Sequence, residues 1–157
     1  MINLSVRLAI DTDSKNIFEW RNDLLTRHMS HTNKIVEWEH HINWFANSLN
    51  SETRMLLICE QGFDSKIAVI RFDISDLTAF VSINLNPSMR GKNLAKVSLI
   101  KSIEFFSKKH PSIKNLVAEV NEENVASKKS FLGVGFEKHK VYNNIGYYKK
   151  NLVSSIK

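Results

Sequence analysis

The sequence has little of what an exported or membrane-bound protein uses. Its one cysteine, Cys59, cannot form an internal disulfide. The thiol lies in the apolar run "MLLICE" and reads as a small core residue of a protein kept in a reducing compartment. No apolar run approaches the roughly 20 residues of a membrane-spanning helix. "MINLSVRLAIDTD" also lacks the basic segment and long apolar stretch of a signal peptide. The expectation is a cytoplasmic protein without a membrane partner. With two prolines, five glycines and no repeat or low-complexity tract, there is no sign of a linker. What remains is the composition of one folded domain spanning 1–157, with 43% hydrophobic and 24% charged residues. The net charge of +6, from 22 Lys and Arg against 16 Asp and Glu, favours an anionic partner of unspecified kind.

Periodicity sets the order of elements. "LSVRLAI" alternates as a strand, and Asp11 or Asp13 can cap a helix carrying Ile17, Trp20 and Leu24 on one face. A second helix over "IVEWEHHINWFANSLN" places Trp38, Ile42, Phe45 and Leu49 in a core stripe, with Glu37, His40, His41 and Trp44 opposite. "RMLLICE", "KIAVIRFDI" and "AFVSINLN" read as an antiparallel meander. A helix from about Leu94 to Lys108 follows, with Val97, Ile100, Ile103 and Phe106 inward, ending before His110 and Pro111. "NLVAEV" is a strand, "NVASKKSFLGV" a short helix, and "GFEKHKVY" with "IGYYKKNLV" a hairpin turned at Asn143 and Asn144. A mixed α/β sheet with helices on both faces buries this set of elements.

The turn "NLNPSMRGKNLAK" carries the first functional signal. A helix beginning just after Gly91 leaves N–H groups free and adds partial positive charge at its start. Gly91 permits close approach to a ligand, and Asn93 is among the few other residues that tolerate a left-handed backbone. Arg90 and Lys92 add cations, so the turn can cradle a pyrophosphate or be a plain helix entry with surface charges.

Here the sequence resembles the GNAT superfamily of acetyl-CoA-dependent N-acetyltransferases. "RGKNLA" matches the family's Q/R-x-x-G-x-G/A pyrophosphate loop, with Asn93 in place of the first glycine. "NVASKKSFLGVGF" matches a second family pattern through Asn124, Ser127, Phe131, Gly135 and Phe136. Along almost the whole chain, segments such as "FEWRND", "VEWEHHINWF", "IAVIRFD" and "AEVNEEN" look like the amino-sugar acetyltransferases of pseudaminic acid and related nonulosonate biosynthesis.

The resemblance implies a seven-stranded, mostly antiparallel sheet whose fourth and fifth strands splay apart. It implies acetyl-CoA as cofactor, held by backbone at Ile83 and Leu85 and by the turn Arg90, Gly91, Lys92, Asn93, Leu94 and Ala95. Asn124 and Ser127 fall near the cofactor arm, with Lys128 a helper at the phosphates and Phe131 also among the implied cofactor-binding residues. Phe131 departs from the tyrosine that protonates the leaving thiolate in many relatives, so either another group or water serves as the acid, or the thiolate, from a thiol near pKa 8.5, leaves unassisted. The acceptor amine must shed a proton, and Glu119 in "AEVNEEN" is the candidate base.

The implied acceptor is the amine of a nucleotide-linked amino-deoxy sugar, of UDP-4-amino type. Arg21 and Arg27 are candidates for its phosphates, His28 and Glu37 for the sugar, and Trp44 for stacking. Each can equally be a solvated or packed helix residue. The histidines lack an HExxH context, so no metal is expected. The resemblance leaves homodimerisation open. Two alternatives stand beside this reading: a peptide or ribosomal-protein N-terminal acetyltransferase, and a basic nucleic-acid-binding module. The second is disfavoured because Lys and Arg are scattered and no nucleic-acid signature is present.

Overall fold

The computed structural model describes residues 3–62 and 64–152. Its strands are β1 (Leu4–Leu8), β2 (Arg54–Gln61), β3 (Lys66–Ser75), β4 (Thr78–Leu85), β5 (Asn115–Asn121), β6 (Glu137–Tyr142) and β7 (Ile145–Asn151). Its helices are α1 (Ser14–Arg21), α2 (Leu24–Met29), α3 (Trp38–Leu49), α4 (Leu94–Lys109) and α5 (Val125–Gly133). The seven strands form one sheet in the order β1-β2-β3-β4-β5-β7-β6. All neighbours are antiparallel except β4 and β5. That parallel pair requires a crossover, and α4 supplies it.

Alternation along the strands puts one apolar set on each face. Leu57, Cys59, Ile70, Phe72, Val81, Leu116, Ala118 and Tyr148 pack beneath α4 and α5. Leu56, Ile58 and Val69 pack beneath α1 and α3 with Ile17, Trp20 and Phe45. Cys59 is fully buried as expected, its Sγ 3.3 Å from Ser102 Oγ, and burial pushes its pKa up. The closing hairpin turns at Asn143 and Asn144, both left-handed with φ of 50° and 62°, as a two-residue turn of this kind demands.

Three expectations are corrected. The first helix is two helices, because Asn22 leaves the helical path and exchanges side-chain hydrogen bonds with Val36 N and O (2.8 and 2.9 Å). Asp23 then caps α2, and Leu24 is exposed and outside the core. In α3 the buried residues are His41, Phe45 and Ser48, while Trp38 and Ile42 are exposed. The inward face is rotated because its polar members find partners: His41 Nε2 donates to Ser14 O at 2.9 Å, and Ser48 Oγ accepts from Arg54 at 3.2 Å. In α4 the buried face includes Leu94, Ser98, Leu99 and Ser102, and Ile100 is exposed. Small serines let α4 sit close over Cys59, which apolar counting overlooks.

Candidate active site at the parting of β4 and β5

β4 and β5 pair only at Thr78–Asn115, Ala79–Leu116 and Phe80–Val117. Beyond that point they separate, so the backbone of β4 from Val81 to Leu85 keeps β3 on one side and has no strand on the other. Ile83 and Leu85 lie on this free stretch, with side chains half-buried against the α4 core. Backbone groups without a strand partner need another one, and an extended amide-bearing chain fits such a gap.

The turn before α4 lies at the open end. Asn86 caps the bend by accepting from Ser88 N at 3.1 Å, and Pro87 fixes its first residue. Gly91 then has φ +75° and Asn93 is left-handed at φ 57°, ψ 35°. Asn93 thus adopts the conformation for which the family motif uses glycine. Among the described residues, the N–H groups of Gly91, Lys92 and Asn93 meet no backbone acceptor. No acidic residue occupies the first turn of α4, so the helix start keeps its positive character. A Cβ placed on Gly91 would meet nothing within 4 Å, so the space above it is open to a ligand. Leu94 is buried and anchors the turn through its side chain, while Lys92 is exposed.

Arg90 is differently engaged from its expected role at the phosphates. Its guanidinium is ion-paired with Asp23 at the start of α2 and donates to Thr26 Oγ1 at 3.0 Å. Arg90 in turn lowers the pKa of Asp23. Lys128 is likewise occupied, bonded to Glu122 O at 3.1 Å. Asn124 is the N-cap of α5, accepting from Ser127 N at 3.1 Å, and among the described residues its amide N–H groups meet no acceptor. Phe131 is a core residue, edge-on to Phe136 with centroids 5.0 Å apart. Tyr148 on β7 is buried beside Glu122 and Lys138, and burial raises the pKa of its phenol.

On the face of the sheet opposite α4, α1 packs and approaches β4, and α2 follows it in the chain. Reading across the sheet, Arg71 of β3 is opposite Ser82 of β4. Two residues past the last β4–β5 pair, Glu119 faces the gap from β5, and it is opposite Tyr147 of β7. His31 Nε2 approaches Glu119 Oε1 at 3.8 Å, and Lys140 Nζ lies 5.0 Å from the Tyr147 ring centre. Glu119 is thus a partly exposed carboxylate at the mouth of the gap, on the side away from α4.

The remaining acceptor-side candidates do not converge on one point. Arg21 ends α1 near Arg71. Arg27 folds back onto the carbonyls of Asn22 and Asn33 at 3.2 and 3.4 Å. His28 is exposed on α2, and Glu37 is exposed at the start of α3, where its carbonyl accepts from His41 N. Trp44 packs under Arg54 and Arg71, with guanidinium carbons 5.5 and 6.0 Å from its ring centre, instead of standing free to stack. Arg71, Asp23, His31 and Tyr147 were missed by sequence reading. Only Arg71 left a signal, as a charge between two apolar residues of a strand. Two surface clefts lie elsewhere, one beside Ser51, Arg54 and Asp73 and one between β1 and α4.

These features are those of a known family. A family model described as acetyltransferase (GNAT) domain matches residues 3–137. No curated protein sequence matches the chain. Among solved structures, a domain from Methanocaldococcus jannaschii superposes with a TM-score of 0.83 at 22% identity, over 96% of this chain and 99% of that one. Spermidine N-acetyltransferase from Vibrio cholerae, in complex with CoA and spermine, gives 0.81 at 14% identity over 94% and 95%. An aminoglycoside acetyltransferase in complex with coenzyme A gives 0.80 at 14% identity over 96% and 95%. At such identities these likenesses speak for the fold. With the family match over most of its length, the parted strands and the donor-rich turn, the chain belongs to the GNAT acetyltransferases and is an N-acetyltransferase whose cosubstrate is acetyl-CoA.

Proposed function

We propose that this cytoplasmic enzyme acetylates the amino group of a nucleotide-linked amino-deoxy sugar, by direct attack of the amine within a ternary complex. The observation that carries the two-sided arrangement is the parting of β4 and β5 after Phe80 and Val117. It gives the donor turn at Gly91–Asn93 and the acceptor carboxylate Glu119 access to one gap from opposite faces of the sheet. The amino-sugar reading rests on the resemblance of "FEWRND", "VEWEHHINWF" and "IAVIRFD" to that branch of the family, and the cytoplasmic one on the free, buried Cys59.

Acetyl-CoA bound in the gap supplies an acyl carbon activated as a thioester. The residues present fit it: free N–H groups at Gly91, Lys92 and Asn93 suit a pyrophosphate, and unpaired β4 backbone near Ile83 and Leu85 suits the pantetheine amides. On the acceptor side, Glu119 takes the proton that the attacking amine must lose, directly or through one water, and His31 beside it can pass that proton to solvent. A backbone N–H of the Val81–Leu85 stretch is placed to meet negative charge developing on the carbonyl oxygen. The thiolate departs without a tyrosine, since Phe131 stands at that position.

Incubation with acetyl-CoA and a UDP-4-amino-deoxy sugar, beside a short peptide with a free N-terminus and beside spermidine, tests the acceptor. Acetyl transfer to the nucleotide sugar alone is the expected result; turnover of the peptide alone makes the runner-up correct. Gly91→Trp tests the donor turn. The change forces a bulky residue into a left-handed backbone and over the free N–H groups, so the KM for acetyl-CoA should rise roughly tenfold or more. An unchanged KM in a variant with wild-type circular dichroism removes the turn from the donor site.

A further inference from the structure

Arg71 is out of place for a strand residue next to a hydrophobic core. Its neighbours Ile70 and Phe72 are fully buried on the opposite face, and its own side chain is about two-thirds covered, 32% exposed. Nε lies 3.0 Å from Asp73 Oδ2 but outside hydrogen-bond geometry, and that carboxylate is already held by Arg54 Nε at 2.5 Å. Among the described residues, no acceptor takes the Nη groups of Arg71 or any N–H of the Arg21 side chain. Arg54 and Arg71 therefore share the Asp73 carboxylate, and Arg21 adds a third positive charge nearby. Burial, with repulsion from Arg54 and Arg21, lowers the pKa of Arg71 against the opposing pull of Asp73. A planar fork of unused donors, partly withdrawn from water, matches a phosphoryl group that it can grip through two parallel hydrogen bonds.

The position gives this charge a meaning. Arg71 is directly opposite Ser82, and Ser82 borders the gap across from Glu119, so the fork and the carboxylate flank the place where an amine must sit. Trp44 closes the far side of Arg71 and keeps it from swinging out over α3.

We propose that Arg71, with the neighbouring Arg21, forms an anion subsite on the acceptor side of the gap that grips a phosphoryl group carried by the acceptor. The inference rests on the nucleotide-sugar reading for its natural ligand, but the subsite itself can be tested with simpler probes. The free enzyme is saturated with CoA, so that the donor turn is filled, and UDP, uridine and inorganic pyrophosphate are titrated by calorimetry. UDP and pyrophosphate should bind and uridine should not. Arg71→Met, which keeps length and apolar stem, should weaken UDP roughly 10- to 100-fold, with Arg71→Lys intermediate. In turnover, Arg71→Met should raise the acceptor KM by a similar factor and leave the KM for acetyl-CoA within about twofold.

If UDP binds CoA-saturated Arg71→Met as tightly as wild type, or binds neither protein, the subsite is wrong even where the nucleotide sugar is acetylated. If UDP binding depends on Arg71 while no nucleotide sugar turns over, the subsite stands and the proposed acceptor falls. Arg21→Met, at a half-exposed position on α1, repeats the test at a site where loss of folding is not at issue.

Discussion

Asp13→Ala will lower the stability of the protein by about 3–5 kcal/mol, seen as a fall of roughly 10 °C or more in Tm. Asp13 is wholly buried where β1 turns into α1. Its carboxylate accepts from Arg7 at 2.7 and 2.9 Å and from Ile10 N at 2.8 Å, and Lys66 Nζ is 2.8 Å away. Removing it leaves Arg7 with Glu60 alone and Lys66 with the neutral Asn16. Two cations then face each other where their shared counter-charge had been. Isosteric Asp13→Asn keeps the shape but loses the charge, and should recover only part of the deficit.

The same group makes a pH prediction. Burial raises the Asp13 pKa, but the hydrogen bonds from Arg7, Lys66 and Ile10 outweigh it and bring the carboxyl down to about 2. An unfolded aspartate titrates near 4. The folded value is the lower one, so the contribution is complete above pH 4 and is lost as pH falls towards 2. It amounts to about 2 kcal/mol at neutral pH. Wild type should therefore lose stability over this acid window, and Asp13→Asn should lose less. Parallel urea midpoints for both proteins across pH 2–5 would contradict this account of the cluster.

Glu119→Gln should reduce kcat/KM for the acceptor by roughly 100- to 10,000-fold, the range of a missing general base. The amide keeps the size and hydrogen-bonding reach of the side chain but cannot take the proton. Affinity for acetyl-CoA should be unchanged, because Glu119 lies on the side away from α4. With the base gone, the rate should follow the fraction of acceptor amine that is already neutral, and so climb with pH until that amine is deprotonated. A variant with near-wild-type turnover at neutral pH would assign proton removal to solvent.

Much of the framework was legible because it depends on local chemistry. Asn143 and Asn144 announce a tight hairpin since both must be left-handed, and they are. Asn93 does the same for the donor turn. Where reading failed, the deciding partner was distant in sequence. The face of α3 could not be phased from hydropathy because His41 and Ser48 are made acceptable inside by Ser14 and Arg54. Apolar Trp38 is left outside, where it rests edge-on against Phe18, centroids 4.9 Å apart. Arg90, which its motif assigns to the cofactor, also reaches Asp23, 67 residues earlier, a link that motif matching does not show. Arg71 was visible as a charge in an apolar strand, but its meaning needed the register that sets it beside Ser82.

The pairing of Arg90 with Asp23 ties the turn before α4 to the N-cap of α2. On the proposed reading of the two sites, this ion pair links them. Any shift of α2 that an acceptor favours must carry the Asp23 carboxylate with it and bias the turn through Arg90; any settling of the turn around pyrophosphate must bias α2 in return. Linkage makes the two effects equal: by whatever factor one substrate changes the affinity for the other, the second changes the affinity for the first.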